Sequence, residues 1–543
     1  MEGALFRADS VNLIERVMCA LLALPVIGLL NEALGVSAAG AFSRLASEPS
    51  LAQAFLLSLW VAIVSLWLSL KLARAFSGRL LGIVDGGVWQ CFLLAIPHSA
   101  LALGVLLSFS SGGVFMRWVS ALTGWNVDPG YFFPRDEMAL GTILVLIIKE
   151  VAFLVAIALP IAKRLPIQSY RAIGLQASLS ERQIWNHLIW PQLIRLMQPA
   201  IFIVFVFGLS NLEVSLILGP DQPQLIGVRL FDLMMDPNDL NRQAGAFGMV
   251  MLIVFLGGCW VAMQTILKPK MSLTIEPILR RGFQWDRMDL LFRLVVCFSV
   301  MSLLLWSFAL RWPVTEFLPI WTFGGVDRLQ SMSLPFLNTL SLGALVGVLS
   351  TTFAVLILEY QIKKNHCRIH WVWWIFLWIP ALPISAGLLT WLYLIGESPG
   401  YTAVLFGHIL IALPYAMIIL GHTWFSRDAR HKLLLKQARI SSLRALVLIW
   451  IPRHSRLILL AFAVSFSVSC ALYTQTILLG GGRVETLMTE LMVYSSGDRR
   501  LSSIAGLVNL VLPLVIFIGA ITTNRWLWAN RTGMQGEGFA DFR

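Results

Sequence analysis

The sequence predicts an all-α polytopic membrane protein of about twelve transmembrane helices, arranged as two tandem six-helix units in parallel orientation. Three observations carry that expectation. First, 58% of the 543 residues are apolar and only 13% are charged, with a mean hydropathy of +0.78. A soluble domain carries roughly a quarter charged residues. Second, apolar runs of the length needed to cross a bilayer as a helix recur along the whole chain. Third, the chain matches itself at a fixed spacing. Composition alone excludes a soluble enzyme, a disordered chain and a disulfide scaffold.

Twelve apolar segments are expected to span, centred on residues 13–33, 52–72, 88–109, 138–162, 198–218, 246–267, 289–310, 335–358, 371–396, 403–424, 457–480 and 502–524. We number them spans 1 to 12. Helices are the expected element, because backbone groups in lipid must bond within their own segment. The short alternation of an outer-membrane barrel is missing. Span 1 is followed by small residues at Ser37-Ala38-Ala39-Gly40-Ala41, as a cleaved leader would be. Its N-terminal flank mixes Glu2, Asp9 and Glu15 with Arg7 and Arg16, so it reads as an uncleaved span. Spans 3 and 9 each hold an internal Pro, in Ile96-Pro97-His98-Ser99-Ala100 and Leu382-Pro383-Ile384-Ser385-Ala386. The six cysteines, Cys19, Cys91, Cys259, Cys297, Cys367 and Cys470, form no CxxC pair and read as packing residues. No metal or cofactor site is expected.

Lys and Arg set the orientation. With the N-terminus in the cytoplasm, the tails and inner loops hold 29 basic and 12 acidic residues, and the outer loops 10 and 15. The net charge of +12 is then an inner-face bias, and nucleic acid is not needed to explain it. Two inner loops stand out, after spans 4 and 10. They are the longest and among the most basic, and they occupy the same place in each set of six.

Shifting the chain by 261 residues explains that coincidence. Ten of 44 ungapped positions are identical, among them Gln176, Ala177, Ser180, Pro191, Arg195 and Gly219 with Gln437, Ala438, Ser441, Pro452, Arg456 and Gly480. Composition bias favours Leu and Ala matches, but not paired Gln, Ser, Pro, Arg and Gly. Each half has six spans, so both halves have the same orientation. The expected division is a first unit over 1–267 (core about 50–265), a connecting loop over 268–289 and a second unit over 290–543 (core about 330–525).

Each paired loop reads as a short helix, a break, and a Pro opening a new span. Ser180 and Ser441 suit helix N-caps. Leu179, Ile184 and Leu188, and Ile440, Leu443 and Val447, give each helix an apolar face for a partner. In position, length and closing Pro these loops resemble the EAA loop of type I ABC-importer permeases. Placed by Pro191, the EAA positions are Ala172, Ile173 and Gly174, and the family's Gly falls on Ser178. Placed by Pro452, they are Leu433, Leu434 and Leu435, with Arg439 at the Gly position. Neither copy keeps the family's Glu or Gly.

Fused double permeases of this kind resemble those of the iron(III) and thiamine importers. The resemblance implies a bacterial inner-membrane subunit with both termini cytoplasmic, seated on two cytoplasmic ABC ATPase subunits and served by an outer solute-binding protein. The coupling residues would be Gln176, Ala177, Ser178, Ser180 and Pro191, and Gln437, Ala438, Arg439, Ser441 and Pro452. No GxxxxGK[ST] motif occurs, so the nucleotide would bind on another chain.

Charges within spans are costly. Lys149 and Glu150 are adjacent in span 4, and Glu213 lies in span 5 with Ser210 and Asn211. In the 261 register Glu213 falls on Thr474, between Tyr473 and Gln475. Glu150, Asn211, Glu213, Tyr473, Thr474 and Gln475 are therefore candidates to line the solute route. The alternative is interhelical bonding, with Lys149 in an ion pair. His98 and His408 read as packing residues. Trp371, Trp373, Trp374 and Trp378 suit an interface belt better than a cation cage. Two other functions remain open: a major-facilitator carrier, also built of two six-span halves, and a membrane-embedded enzyme, which would need clustered acids, His or nucleophiles.

Overall fold

A computed structural model describes residues 13–35, 37–80, 93–125, 133–162, 165–266, 285–313, 316–322, 330–363, 372–425, 427, 437 and 440–528. Most of the expected connecting loop, residues 88–92 of span 3, Leu433, Leu434, Leu435, Ala438, Arg439 and Trp371 lie outside the described residues. The described part is helical apart from a two-stranded antiparallel ribbon, β1 (Ala309–Arg311) with β2 (Ile320–Trp321).

Every one of the twelve apolar segments falls on helix, but they are not twelve straight crossings. Eight helices are long and apolar enough to cross a membrane, or up to eleven when each of three bent pairs is taken as one span. The eight cover spans 2, 3, 4, 6, 7, 8, 10 and 12. The bent pairs contain spans 1, 5 and 11, and span 9 contributes the shorter helix Ala381–Leu394.

The departures have local causes. Spans 3 and 9 break where Pro97 and Pro380 cap the helices His98–Phe109 and Ala381–Leu394. Pro has no N–H to give and clashes with the preceding turn. Span 5 breaks between Gln198–Ser210 and Glu213–Leu218, and span 11 between Ser455–Ala471 and Tyr473–Gly480. At both breaks a hydroxyl four residues on replaces the lost backbone donor. Ser215 Oγ donates to Asn211 O at 2.8 Å, and Thr476 Oγ1 donates to Leu472 O at 2.6 Å. Ser215 and Thr476 correspond in the 261 register, as do Asn211 and Leu472. Such side-chain replacement is how helix breaks survive in lipid.

Equivalent spans make equivalent pairs. Span 2 packs on spans 4 and 5, and span 8 packs on spans 10 and 11. Span 1 packs on span 6 and span 7 on span 12, but span 1 also lies along span 9, and span 7 along span 3. Spans 1 and 7, the first of each expected set of six, thus lean on the other expected set. Close approach makes this pairing. A Cβ on Gly387 would lie 1.8 Å from Pro25 O, and one on Gly28 would lie 2.0 Å from Gly387 O. Across spans 3 and 7, Ser108 Oγ donates to Ser302 Oγ at 2.8 Å. Helices in lipid associate through small residues and interhelical hydrogen bonds of this kind. A core including Leu29, Ala62, Phe202 and Met249 from the first half with Leu382, Ala386 and Leu478 from the second joins the two. Trp378 adds to it, 4.1 Å from Trp260 between ring centroids. Trp373 is buried and Trp378 half-buried.

Candidate functional site

The first loop is a helical hairpin. Helix Ile167–Gln176 ends in a Schellman turn: Leu179 N–H bonds Gly174 O at 2.9 Å and Ser178 N–H bonds Leu175 O at 3.0 Å. The residue at the turn must adopt a left-handed backbone, and Ser178 does so with φ +56°. That is the position where the resemblance puts Gly. Ser180 then caps the next helix through a capping box with Gln183. Gly174 lets the two arms touch, since a Cβ there would meet Ile184 Cγ1 at 2.4 Å. Arg171 and Glu181 pair across the arms at 2.7 Å. Donating to the Glu181 carboxylate holds the pKa of the exposed Arg171 guanidinium above its ordinary value. Tyr170 OH donates to Gln192 Oε1 at 2.7 Å.

A left-handed L-residue carries roughly 1–2 kcal/mol of strain, partly offset by the greater freedom glycine has when unfolded. Ser178→Gly should therefore stabilise the hairpin by about 0.5–1 kcal/mol. Slower amide exchange over residues 174–179 would show it. Unchanged or faster exchange would contradict the strain.

Two expectations for the loops need correction. Pro191 and Pro452 do not open new spans. Each sits inside the surface helix, directly after a π-helical turn, Ile184–Ile189 or Leu446–Trp450. The wider turn makes room for the Pro ring, a common cause of such bulges. The chain turns later, by 70° between Glu181–Leu196 and Gln198–Ser210 and by 80° between Leu443–Arg453 and Ser455–Ala471. The apolar face is also not what the spacing suggested in the first copy. Ile184 is fully buried, and Leu179 and Leu188 pack against the same core. Trp185 pins this helix to span 2, its Nε1–H donating to Arg74 O at 2.8 Å. What stays exposed is Ile173 at 59% and Leu175 at 56%. In the second copy Ile440, Leu443 and Val447 are exposed, together with Leu448 at 68%. Gln176, Ala177, Ser178, Ser180, Pro191, Gln437 and Ser441 are exposed, and Pro452 is half-buried.

The pathway candidates separate into two places. Thr474 Oγ1 donates to Glu213 Oε1 at 3.1 Å. These two residues are counterparts in the 261 register, so the halves meet here through equivalent positions. Both stand in the first turn after a helix break. Tyr473 is half-buried, Gln475 is fully buried, and the Gln475 amide reaches Ala381 O at 3.4 Å. Gln475 Oε1 has no partner among the described residues. The Asn211 side-chain amide donates to Gly208 O at 3.2 Å. Glu150 lies elsewhere, between spans 2 and 4, accepting from Ser69 Oγ at 3.0 Å and Ser65 Oγ at 3.4 Å.

Lys149 forms no ion pair with Glu150. Its ammonium donates to Leu93 O at 2.6 Å, and to Leu94 O and Ile96 O, the carbonyls released at the Pro97 break. The sequence signal for this was a lone Lys in one span and a Pro in its neighbour, but nothing local linked them. His408 is a packing residue with partners, within 2.9 Å of Ser469 Oγ and 3.1 Å of Thr476 Oγ1. A cavity of about 480 Å³ lies apart from all the pathway candidates, lined by Ser110, Phe133, Arg135, Asp221, Ser495 and Arg499 among others.

No family model matches the chain. Over 506 residues it is 28% identical to the inner membrane ABC transporter permease protein YnjC of Escherichia coli (strain K12), covering 91% of this chain and 92% of that one. The match thus takes in both halves rather than one. With eight to eleven helices long and apolar enough to cross a membrane, the chain is an all-helical polytopic membrane protein that is similar, over nearly its whole length, to an inner membrane ABC transporter permease protein.

Proposed function

We propose that the chain is the membrane-spanning subunit of an ATP-driven importer, built from two fused six-helix units, with its paired loops facing the cytoplasm and gripped by two ABC ATPase subunits. An outer binding protein delivers the solute. One observation carries the reading. Each loop helix turns through one elbow into span 5 or span 11, and the far ends of those same spans touch at Glu213 and Thr474. A displacement of the two loops therefore reaches the contact between the halves through a single broken span on each side. Parting Glu213 from Thr474 would open the route, with Asn211, Tyr473 and Gln475 beside it. Glu150, between spans 2 and 4, would act on that route from within the first half. The likeness to iron(III) and thiamine importers makes a cationic solute the first to test, and Glu213 offers it a carboxylate.

The test is co-purification. The chain should bring down an ATP-hydrolysing subunit. Ile173→Glu with Leu448→Glu, both on exposed surface, should weaken that association about thirtyfold or more, as loss of interface anchors does. In the same complex, Glu213→Gln should alter ATP-driven uptake at equal membrane expression. A lone chain that transports on a proton gradient, or an ATPase retained by the doubly charged variant, would refute the reading.

A further inference from the structure

The second elbow is built differently from the first. Arg427, just past span 10, lies with its guanidinium carbon 4.1 Å from the ring centroid of Trp424 and 4.1 Å from that of Trp450. It is a plate between two indoles. Its Nη1 donates to Glu359 Oε1 near the end of span 8, and Trp424 Nε1–H donates to the same oxygen at 3.1 Å. His454 closes the cluster. Its ring is 5.0 Å from Trp424, and its Nδ1 is 2.9 Å from Trp450 O. Trp424, Trp450 and His454 are all buried. Trp450 and His454 flank the short segment Ile451–Arg453, after which the chain turns by 80° into span 11.

Hydrogen bonding does not account for how Arg427 is held. Its Nε and Nη2 are buried without a partner among the described residues. Stacking supplies the rest, because a guanidinium is planar, delocalised and weakly hydrated, and both of its faces can lie on aromatic rings. The first elbow has no such device at the matching positions. In the 261 register Trp450, His454 and Arg427 fall on Ile189, Leu193 and Pro166. Ile189 and Leu193 are buried in the apolar core. Apolar contact is non-directional. An ion pair combined with a two-sided stack fixes a direction.

We infer that Arg427 is a positioning residue that locks the elbow between the second loop helix and span 11, so that this loop moves with spans 8, 10 and 11 as one piece. What the lock transmits rests on the coupling role proposed above, but its geometry does not.

Hydrogen–deuterium exchange on the full chain in lipid nanodiscs tests the lock. In Arg427→Met, residues 443–453 should exchange about ten- to thirtyfold faster, the range expected for losing a desolvated cation–π contact. Residues 181–196 should keep their wild-type rates. Arg427→Lys should fall between, since it keeps the charge but neither the fork nor the stack. Should Arg427→Met misfold because Glu359 is stranded, Glu359→Gln/Arg427→Met removes both charges and should give the same local acceleration. Exchange over 443–453 within twofold of wild type would overturn the inference. So would equal acceleration of both loops, which marks general loosening. With the ATPase subunit bound, Arg427→Met should still hold it while the nucleotide-dependent change in protection over 455–471 shrinks. A wild-type chain that binds no ATPase would remove the coupling role and leave the exchange result standing.

Discussion

Gly387→Ala should detach span 1 from span 9. The added Cβ would lie 1.8 Å from Pro25 O and 2.6 Å from Pro25 C. Both are backbone atoms, so no side-chain rotation relieves the clash. The reverse approach is equally tight, with a Cβ on Gly28 at 2.0 Å from Gly387 O. Overpacking a filled interior costs about 1–3 kcal/mol, occasionally more, and here the only relief is to move a whole helix. The expected loss is about 3 kcal/mol of helix association. Val26 and Ile384 line one small crevice beside this crossing, so Val26→Cys and Ile384→Cys provide a cross-link that reads it. The link should form in the parent and fail once Gly387→Ala is added. If it forms at the parent rate, the two helices do not depend on this crossing. The contact of span 7 with span 3 would remain, so the loss would loosen one of the crossings between the halves.

Lys149→Met should destabilise the middle of span 3. Methionine keeps the stem but removes the ammonium that serves Leu93 O, Leu94 O and Ile96 O. Each buried polar group left unserved costs about 1–3 kcal/mol. Against this stands the relief of no longer holding a charge in the membrane, about 2.5–3.5 kcal/mol on insertion scales. With three carbonyls stranded the first effect wins, and the expected net loss is about 2 kcal/mol. Amide exchange at Leu101, whose N–H bonds Pro97 O at 3.2 Å, is the local readout. It should rise about thirtyfold, which is that loss expressed as an opening equilibrium. An unchanged rate would mean that water or neighbouring groups already serve those carbonyls. The same change at Leu410, the position matching Lys149 in the 261 register, should have little effect, because no ammonium is lost there.

The candidate site was only partly legible. Glu213 and Thr474 could be paired from sequence because the 261 register made them counterparts, and counterparts near a symmetry axis come close to each other. Glu150 could not be placed. Its neighbour Lys149 gave no guide, because adjacent residues on a helix point apart, and each found its partners on a different helix. The faces of the loop helices were read from spacing, which finds an apolar stripe but not what covers it. Spacing pointed outward for Ile184 and Leu443 alike, and only Leu443 is exposed. Arg427 left a fainter trace, a Trp three residues before it in one span and a Trp–His pair in a distant loop.

Segment length, apolar content, the basic loops and the internal match were all present in the linear chain. They suffice for an all-helical membrane protein because lipid itself imposes the element: a stretch of the right length has no other way to satisfy its backbone. The chain also marked one helix break, at Pro97 of span 3, whereas Pro383, the Pro singled out in span 9, lies inside the helix Ala381–Leu394 and the break falls at Pro380. Which helix leans on which was decided only in three dimensions. Span 1 lies on span 9 because two glycines allow backbones to touch, Lys149 serves a break in another helix, and Arg427 slides between two indoles from separate segments. Such contacts depend on shape and distance between surfaces remote in sequence, and no local periodicity encodes them.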